Sequence, residues 1–323
     1  MKKVVVTDYQ FDDLDIEAGV LKEQGCELVA RVQSNEAELI ALVSDADAVI
    51  SQYAPLTPTV IAAMKRVKAI VRYGIGVDNV NLPAAREHGI PVCNIPDYCI
   101  DEVADHTLAL LLAVTRGIVP NANIIRDGKW GMPVPITSMF ALSQLTVGIV
   151  GLGRIGRTVA HRLKAFNCKL SAFDPQLDAS DIRGLGCHPS TLDEVLEKSD
   201  VVTLHIPSTD ATRKIINAAR LAKFKKGAIL INVSRGDLVD TDALVEALKS
   251  GKLIGAGLDV SAPEPIPDGH PLRSMPNVVF TSHIASASMP AMMRLRTGVA
   301  TIAALGANGK PVYNIVNGVP ASK

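Results

Sequence analysis

The chain has 323 residues, 48% of them hydrophobic and 20% charged, with 33 lysines plus arginines against 33 aspartates plus glutamates. That length points to about two domains, and the neutral balance excludes a global basic field for nucleic acid or an anionic membrane. The five cysteines are odd in number and not closely spaced, which speaks against a full disulfide framework and gives no metal-ligand pattern.

The N-terminal run MKKVVVTDYQ has too short an apolar stretch for a signal peptide. The longest apolar stretch, LALLLAV over 108–114, is too short to span a bilayer. A reduced, cytoplasmic protein with no nucleic-acid, membrane or metal partner is expected.

In chain order, KKVVV, CELVARV (26–32), DAVIS, KAIVR and PVCN are short β-rich runs. A helical stretch, DDLDIEAGVLKEQG (12–25), is opened by acids and closed by Gly25. Strand–helix alternation predicts a mostly parallel sheet covered by helices. DEVADHTLALLLAVTRG (101–117) reads as a buried helix, and a Pro/Gly-containing connector with the single tryptophan, Trp130, follows it. A second alternating run then supplies QLTVGIV, CKLSAF, DVVTLHI, GAILINV, LIGAGLDV and NVVFT. These are continuous apolar strands, as expected where both sheet faces are buried. Residues 290–310 read as a last helix, and the tail PVYNIVNGVP is too short to be a domain. It is expected to pack back on the first domain, which makes the second an insertion with a cleft between domains. The expected division is 1–100 with 290–323, and 101–289.

VGIVGLGRIGRTVAHRL carries Gly151, Gly153 and Gly156 in G-x-G-x-x-G spacing, with a strand before and a helix after. In that setting Gly151 permits the tight turn, Gly153 lets the backbone approach a pyrophosphate, and Gly156 packs helix on strand. The helix N-terminus offers amides and partial positive charge to phosphates. The next strand ends in Asp174, suited to the ribose hydroxyls and repulsive to a 2′-phosphate, which favours NAD. A strand–helix turn that needs glycine only for packing is the plainer alternative.

Three acid–base side chains follow successive strands: Arg235, Glu264 and His283. Strand carboxyl ends line the ligand crevice of a doubly wound sheet. Singly, Arg235 reads as a strand cap, Glu264 as a solvated turn and His283 as a loop histidine. As a set beyond a dinucleotide loop they suit reduction of a 2-keto acid. A guanidinium matches the carboxylate, and an imidazole exchanges the proton on the carbonyl oxygen near neutral pH. Among the remaining histidines, His205 ends a strand as a cofactor-rim or core residue, and His106 sits on the apolar helix as a helix or interface residue.

The blocks VRYGIGVDNVNLPAAREHGIPVCNIPD, TVGIVGLGRIGRTVA, INVSRGDLVDTDAL, GAGLDVSAPEP and TSHIASAS, in this order, resemble the D-isomer-specific 2-hydroxyacid dehydrogenase family. The resemblance implies an α/β homodimer of two doubly wound parallel-sheet domains, a Rossmann NAD-binding domain inserted into a flavodoxin-like substrate domain. It implies that His283 is the proton donor, Glu264 its partner and Arg235 the substrate anchor. It further implies Arg154 and Ile155 at the pyrophosphate, Asp174 at the ribose, and Val233, Asp259, Ala285 and Ser286 near the nicotinamide. Asp259 would bond nicotinamide-side groups or support Arg235. In RYGIG, the Ile75 and Gly76 amides would bind the substrate carboxylate, and Arg72 would meet a second anion, as in phosphoglycerate dehydrogenase-like members. Trp130 would either close over the neighbouring subunit's active site or only pin the connector.

VCNIPDYCIDEVADHTLALLL is similar to the branch containing C-terminal-binding proteins and their bacterial enzyme relatives. The chain departs from patterns of the family at Asp97, where many members have glycine, at Cys99, and at IAS after His283, where the C-terminal-binding proteins have tryptophan. The leading expectation is an NAD-dependent enzyme interconverting a small 2-keto acid and its (R)-2-hydroxy acid. The alternative is an NAD(H)-sensing, corepressor-like binding protein with weak catalysis. Glu264 argues against the formate branch, and the absence of a lysine in VRYGIGVDN argues against the phosphite branch.

Overall fold

Runs such as KKVVV and DAVIS carry no polar alternation, so neither sheet face at their centre can meet water. In the computed structural model, which describes residues 1–31 and 35–321, these runs become buried parallel strands. The chain divides into two units, Met1–Cys99 with Ser288–Lys323, and Ile100–Ala287. The second unit thus interrupts the first in sequence.

The first unit holds β1 (Lys2–Val6), β2 (Cys26–Ala30), β3 (Ala48–Ser51), β4 (Ile70–Arg72) and β5 (Val92–Cys93). They pair in the order β2-β1-β3-β4-β5, all parallel, the flavodoxin-like order. β2 stops at Ala30, and Val32 of the expected strand lies outside the described residues. The expected helix over 12–25 is trimmed to Asp15–Glu23. Asp13 turns back instead, accepting from the Asp15 amide and from Arg296.

The helix Met289–Ala307 starts at Ser288, whose hydroxyl accepts from the Ala291 amide, and packs on Asp15–Glu23 and on β1, β3 and β4. It buries Arg296, which forks onto the fully buried Glu17 through bonds of 2.8 to 3.0 Å. The Tyr73 hydroxyl donates to the same carboxylate at 2.9 Å. A buried charge needs such a full set of partners. The tail closes the sheet edge: Val316 donates to the Val92 carbonyl, and the Asn317 side chain accepts from the Val92 amide.

The second unit holds β6 (Thr146–Val150), β7 (Lys169–Phe173), β8 (His188–Pro189), β9 (Val201–Leu204), β10 (Ala228–Asn232), β11 (Leu253–Leu258) and β12 (Val278–Phe280). The order is β12-β11-β10-β9-β6-β7-β8, again all parallel. This is the Rossmann order with one added strand. Because the strands are parallel, all seven carboxyl ends share one edge.

The helix Ile100–Thr115 packs on β10, β11, β12 and on the helix Arg154–Lys164. The two-residue β8, too short for any periodicity, and the helix Ile118–Arg126 are among the elements not read in the sequence. Trp130, in the connector after that helix, is 94% exposed. Among the described residues no single helix is long and apolar enough to cross a membrane.

Candidate active site

The glycine loop leaves β6 with Gly151 at φ +96°, in backbone space that other residues rarely enter. A Cβ there would lie 2.4 Å from the His205 carbonyl oxygen, and one on Gly156 would lie 2.0 Å from the Gly151 oxygen. Both glycines are therefore required by close backbone packing. Gly153 differs: a Cβ there would meet nothing within 4 Å. It begins the helix Arg154–Lys164 without a side-chain cap, so the first-turn amides are presented to an anion. Arg154 is exposed and Ile155 half-buried beside it.

Asp174, just past β7, accepts from the Leu152 amide at 2.8 Å and from the Gln176 amide at 2.9 Å. Its carboxylate is thus fixed against the loop. These features fit a dinucleotide: an unobstructed glycine at an open helix N-terminus and a preset acid one strand away.

His205, past β9, pairs through Nε2 with the Thr203 hydroxyl at 2.9 Å. Its buried Nδ1 has no partner among the described residues. Burial pushes this imidazole down to about 3, so it is neutral at physiological pH.

Past β10, the turn bearing Arg235 is built by its neighbours. Asn232 accepts from the Ser234 amide and donates to the Arg235 carbonyl, while the Ser234 hydroxyl donates to the Leu204 carbonyl. Val233 is buried within this turn. A Cβ on Gly236 would overlap the Ser261 backbone at 2.0 Å, so the Arg235 turn lies against the segment leading to Glu264.

Glu264 sits between two cis proline peptides, and its Oε1 lies 2.5 Å from Nδ1 of His283. Burial, the largest single influence, raises the Glu264 pKa, while the hydrogen bond and charge of His283 lower it. With smaller contributions from the Ser261 amide and the Arg235 charge, the net shift is downward. Two of the residues inferred from separate strand ends, His283 and Arg235, therefore act on the carboxylate of the third, Glu264. With Nδ1 engaged, Nε2 is the ring nitrogen open to proton exchange.

His283 itself has φ +58°. The turn is held by Asp259, past β11, whose carbonyl accepts from the His283 amide at 2.7 Å. Its carboxylate accepts from the amides of Ile284 and Ala285, each at 2.9 Å. Ala285 is buried and Ser286 half-buried. These bonds place Asp259 in the architecture of the His283 turn, a role not read from the sequence.

In the first unit, Arg72 ends β4, donates to the Tyr73 carbonyl at 2.7 Å and lies over the Tyr53 ring. The Ile75 carbonyl accepts from Asn94 at 2.6 Å, while the Ile75 and Gly76 amides make no hydrogen bond within the described residues.

Sequence reasoning missed Thr281 and the contacts that His106 makes. Nε2 of His106 lies 2.9 Å from the Thr281 hydroxyl and 3.5 Å from Asp259 Oδ1. Only tertiary folding joins these residues; the sole local hint was an imidazole on an otherwise apolar helix face. Among the described residues no three His, Cys, Asp or Glu side chains gather to hold a metal ion.

A glycine loop, a preset acid and a carboxylate–imidazole pair along one edge of a parallel sheet define a dinucleotide-dependent oxidoreductase of the doubly wound class. Residues 108–285 match the family model described as D-isomer specific 2-hydroxyacid dehydrogenase, NAD binding domain. The chain is 40% identical over 282 residues to a glyoxylate reductase of Thermofilum pendens, covering 83% of this chain and 77% of that one. It is 37% identical to a D-3-phosphoglycerate dehydrogenase of Synechocystis, covering 99% of this chain but only 55% of that longer protein. A D-lactate dehydrogenase from Aquifex aeolicus, solved with NAD and lactic acid, superposes with a TM-score of 0.84 at 29% identity, covering 95% of this chain and 96% of that one. The chain belongs to the D-isomer-specific 2-hydroxyacid dehydrogenase family, NAD-dependent oxidoreductases of CH–OH groups.

Proposed function

We propose that the protein interconverts a small 2-keto acid and its (R)-2-hydroxy acid, with His283 exchanging the proton on the substrate oxygen. The observation that carries this reading is the 2.5 Å contact between His283 Nδ1 and Glu264 Oε1. It fixes the ring and leaves Nε2 for chemistry, the arrangement of an oriented acid–base catalyst. The glycine loop, Arg154, Ile155 and Asp174 would hold NAD, which when bound would supply or accept the hydride. Val233, Ala285 and Ser286 would border its nicotinamide end and His205 its rim.

In reduction, His283 Nε2 gives a proton to the carbonyl oxygen as negative charge develops there. Glu264 stabilises the ring in its protonated form. Arg235 binds the substrate carboxylate with a planar, permanent charge. Within the first unit, the unbonded Ile75 and Gly76 amides suit a carboxylate, and Arg72 a further anionic group. Glyoxylate and hydroxypyruvate head the candidate substrates, given the similarity to a glyoxylate reductase.

The full chain should oxidise NADH in the presence of glyoxylate, hydroxypyruvate or pyruvate, and do so faster than it oxidises NADPH. Tight NADH binding without turnover of any 2-keto acid would instead support a sensor.

We also infer a homodimer. Ile118, Ile125, Trp130, Met132 and Ile136 are exposed within one segment, an apolar density typical of an interaction surface. Light scattering should give twice the chain mass of 34.2 kDa.

A further inference from the structure

His106 and Thr281 make no hydrogen bond to the Glu264 carboxylate among the described residues, and a role for them rests on the one proposed above for His283. We propose that His106 and Thr281 are positioning residues, which hold the His283 turn in its active geometry through the carboxylate of Asp259.

Asp259 has a fully buried side chain, with 0% of its surface exposed. The Thr281 hydroxyl donates to its Oδ1 at 2.6 Å, and the Ile284 amide donates to the same oxygen at 2.9 Å. The Ala285 amide donates to Oδ2, and the Asp259 carbonyl accepts from the His283 amide. One residue thus receives three consecutive amides, 283 to 285. That set of bonds sustains φ +58° at His283, a conformation uncommon outside glycine.

The orientation of the carboxylate is in turn set from the helix Ile100–Thr115. A threonine hydroxyl has one proton, and Thr281 directs it to Asp259. Its oxygen can then only accept from His106 Nε2, 2.9 Å away. His106 must carry its proton on Nε2. The resulting order of donors is His106 to Thr281 to Asp259, which in turn holds the amides of the catalytic turn.

The consequence is positional. Glu264 reaches His283 from a different loop, so rotation of Asp259 would move the imidazole relative to its partner. Removing the Thr281 hydroxyl also leaves a buried oxygen short of a donor, which favours such a rotation.

The test uses the full chain with four substitutions: Thr281→Val and His106→Phe, which remove the relay, and Thr281→Ser and His106→Gln, which keep its donors. On the best 2-keto acid, the first two should lower kcat by about 10- to 100-fold while the Kd for NADH moves less than about twofold. The second two should recover kcat to within about threefold of the parent.

A proton NMR spectrum gives a readout independent of turnover. The proton between His283 and Glu264 should resonate far downfield and vanish in Glu264→Ala. It should shift or broaden in Thr281→Val and His106→Phe, and persist in the conservative pair. An unchanged resonance in Thr281→Val, or a conservative pair as impaired as the disruptive one, overturns the proposal. If the parent turns over no 2-keto acid, the proposed reaction fails, and the resonance alone decides the positioning role.

Discussion

The amide of Leu152 donates to Asp174 Oδ2 at 2.8 Å, so the glycine loop and the acid at the end of β7 are joined directly. The Gln176 amide holds the other oxygen at 2.9 Å. A carboxylate fixed in this way presents acceptors to a ribose diol and negative charge to a 2′-phosphate. Asp174→Ser should therefore lower the preference for NADH over NADPH. The ratio of kcat/KM values should fall by about tenfold or more, the scale of one lost hydrogen bond to a charged group. A ratio unchanged in Asp174→Ser would remove this residue from cofactor selection.

Gly153 and Gly156 occupy the same motif but should fail in different ways. A Cβ on Gly153 meets nothing within 4 Å, whereas one on Gly156 lies 2.0 Å from the Gly151 oxygen. Gly153→Ala should keep the parent unfolding midpoint and weaken NADH binding, because its methyl group enters the path of the pyrophosphate. Gly156→Ala should destabilise the protein by about 1–3 kcal/mol, as overpacking does. Thermal melts with and without NADH distinguish the two, and equal losses of stability would contradict the contrast.

The two-sheet fold and the residues of the candidate site were legible because each rests on a local pattern. Apolar strand runs, a glycine hexamer and chemistry-bearing residues just past strands all survive in a linear reading. The parallel sheet then converts "after a strand" into "at one edge", which is why Arg235, Glu264 and His283 were found together. What escaped reading depends on contacts across sequence. The His106–Thr281 pair spans 175 positions, and the burial of Asp259 under its own turn follows from packing. β8, with only two residues, has no period to detect.

His283→Ala removes the ring that, among the described residues, is hydrogen-bonded to Glu264. Turnover on the best 2-keto acid should fall by about 10²- to 10⁴-fold, the usual contribution of a general acid. With His283 proposed to act on the substrate oxygen rather than on the cofactor, the Kd for NADH should change little. Near-parent turnover in this variant would mean that another group supplies the proton.

His205 predicts a pH dependence of stability. Its imidazole is pushed from 6.5 down to about 3 because burial disfavours the charged ring. A group whose folded pKa lies below its unfolded value contributes stability that is complete above the unfolded pKa. As pH falls from about 6.5 towards 3, the unfolded chain binds a proton that the folded chain refuses, so that contribution is progressively lost. His205→Leu removes the titration. Subtracting its stability-against-pH curve from that of the parent should leave a difference that is flat above about pH 7 and declines as pH falls below about 6. Urea titrations across that range measure it. A difference that stays flat throughout would mean that the folded ring takes up its proton as readily as the unfolded one, and that the buried Nδ1 is accessible to solvent.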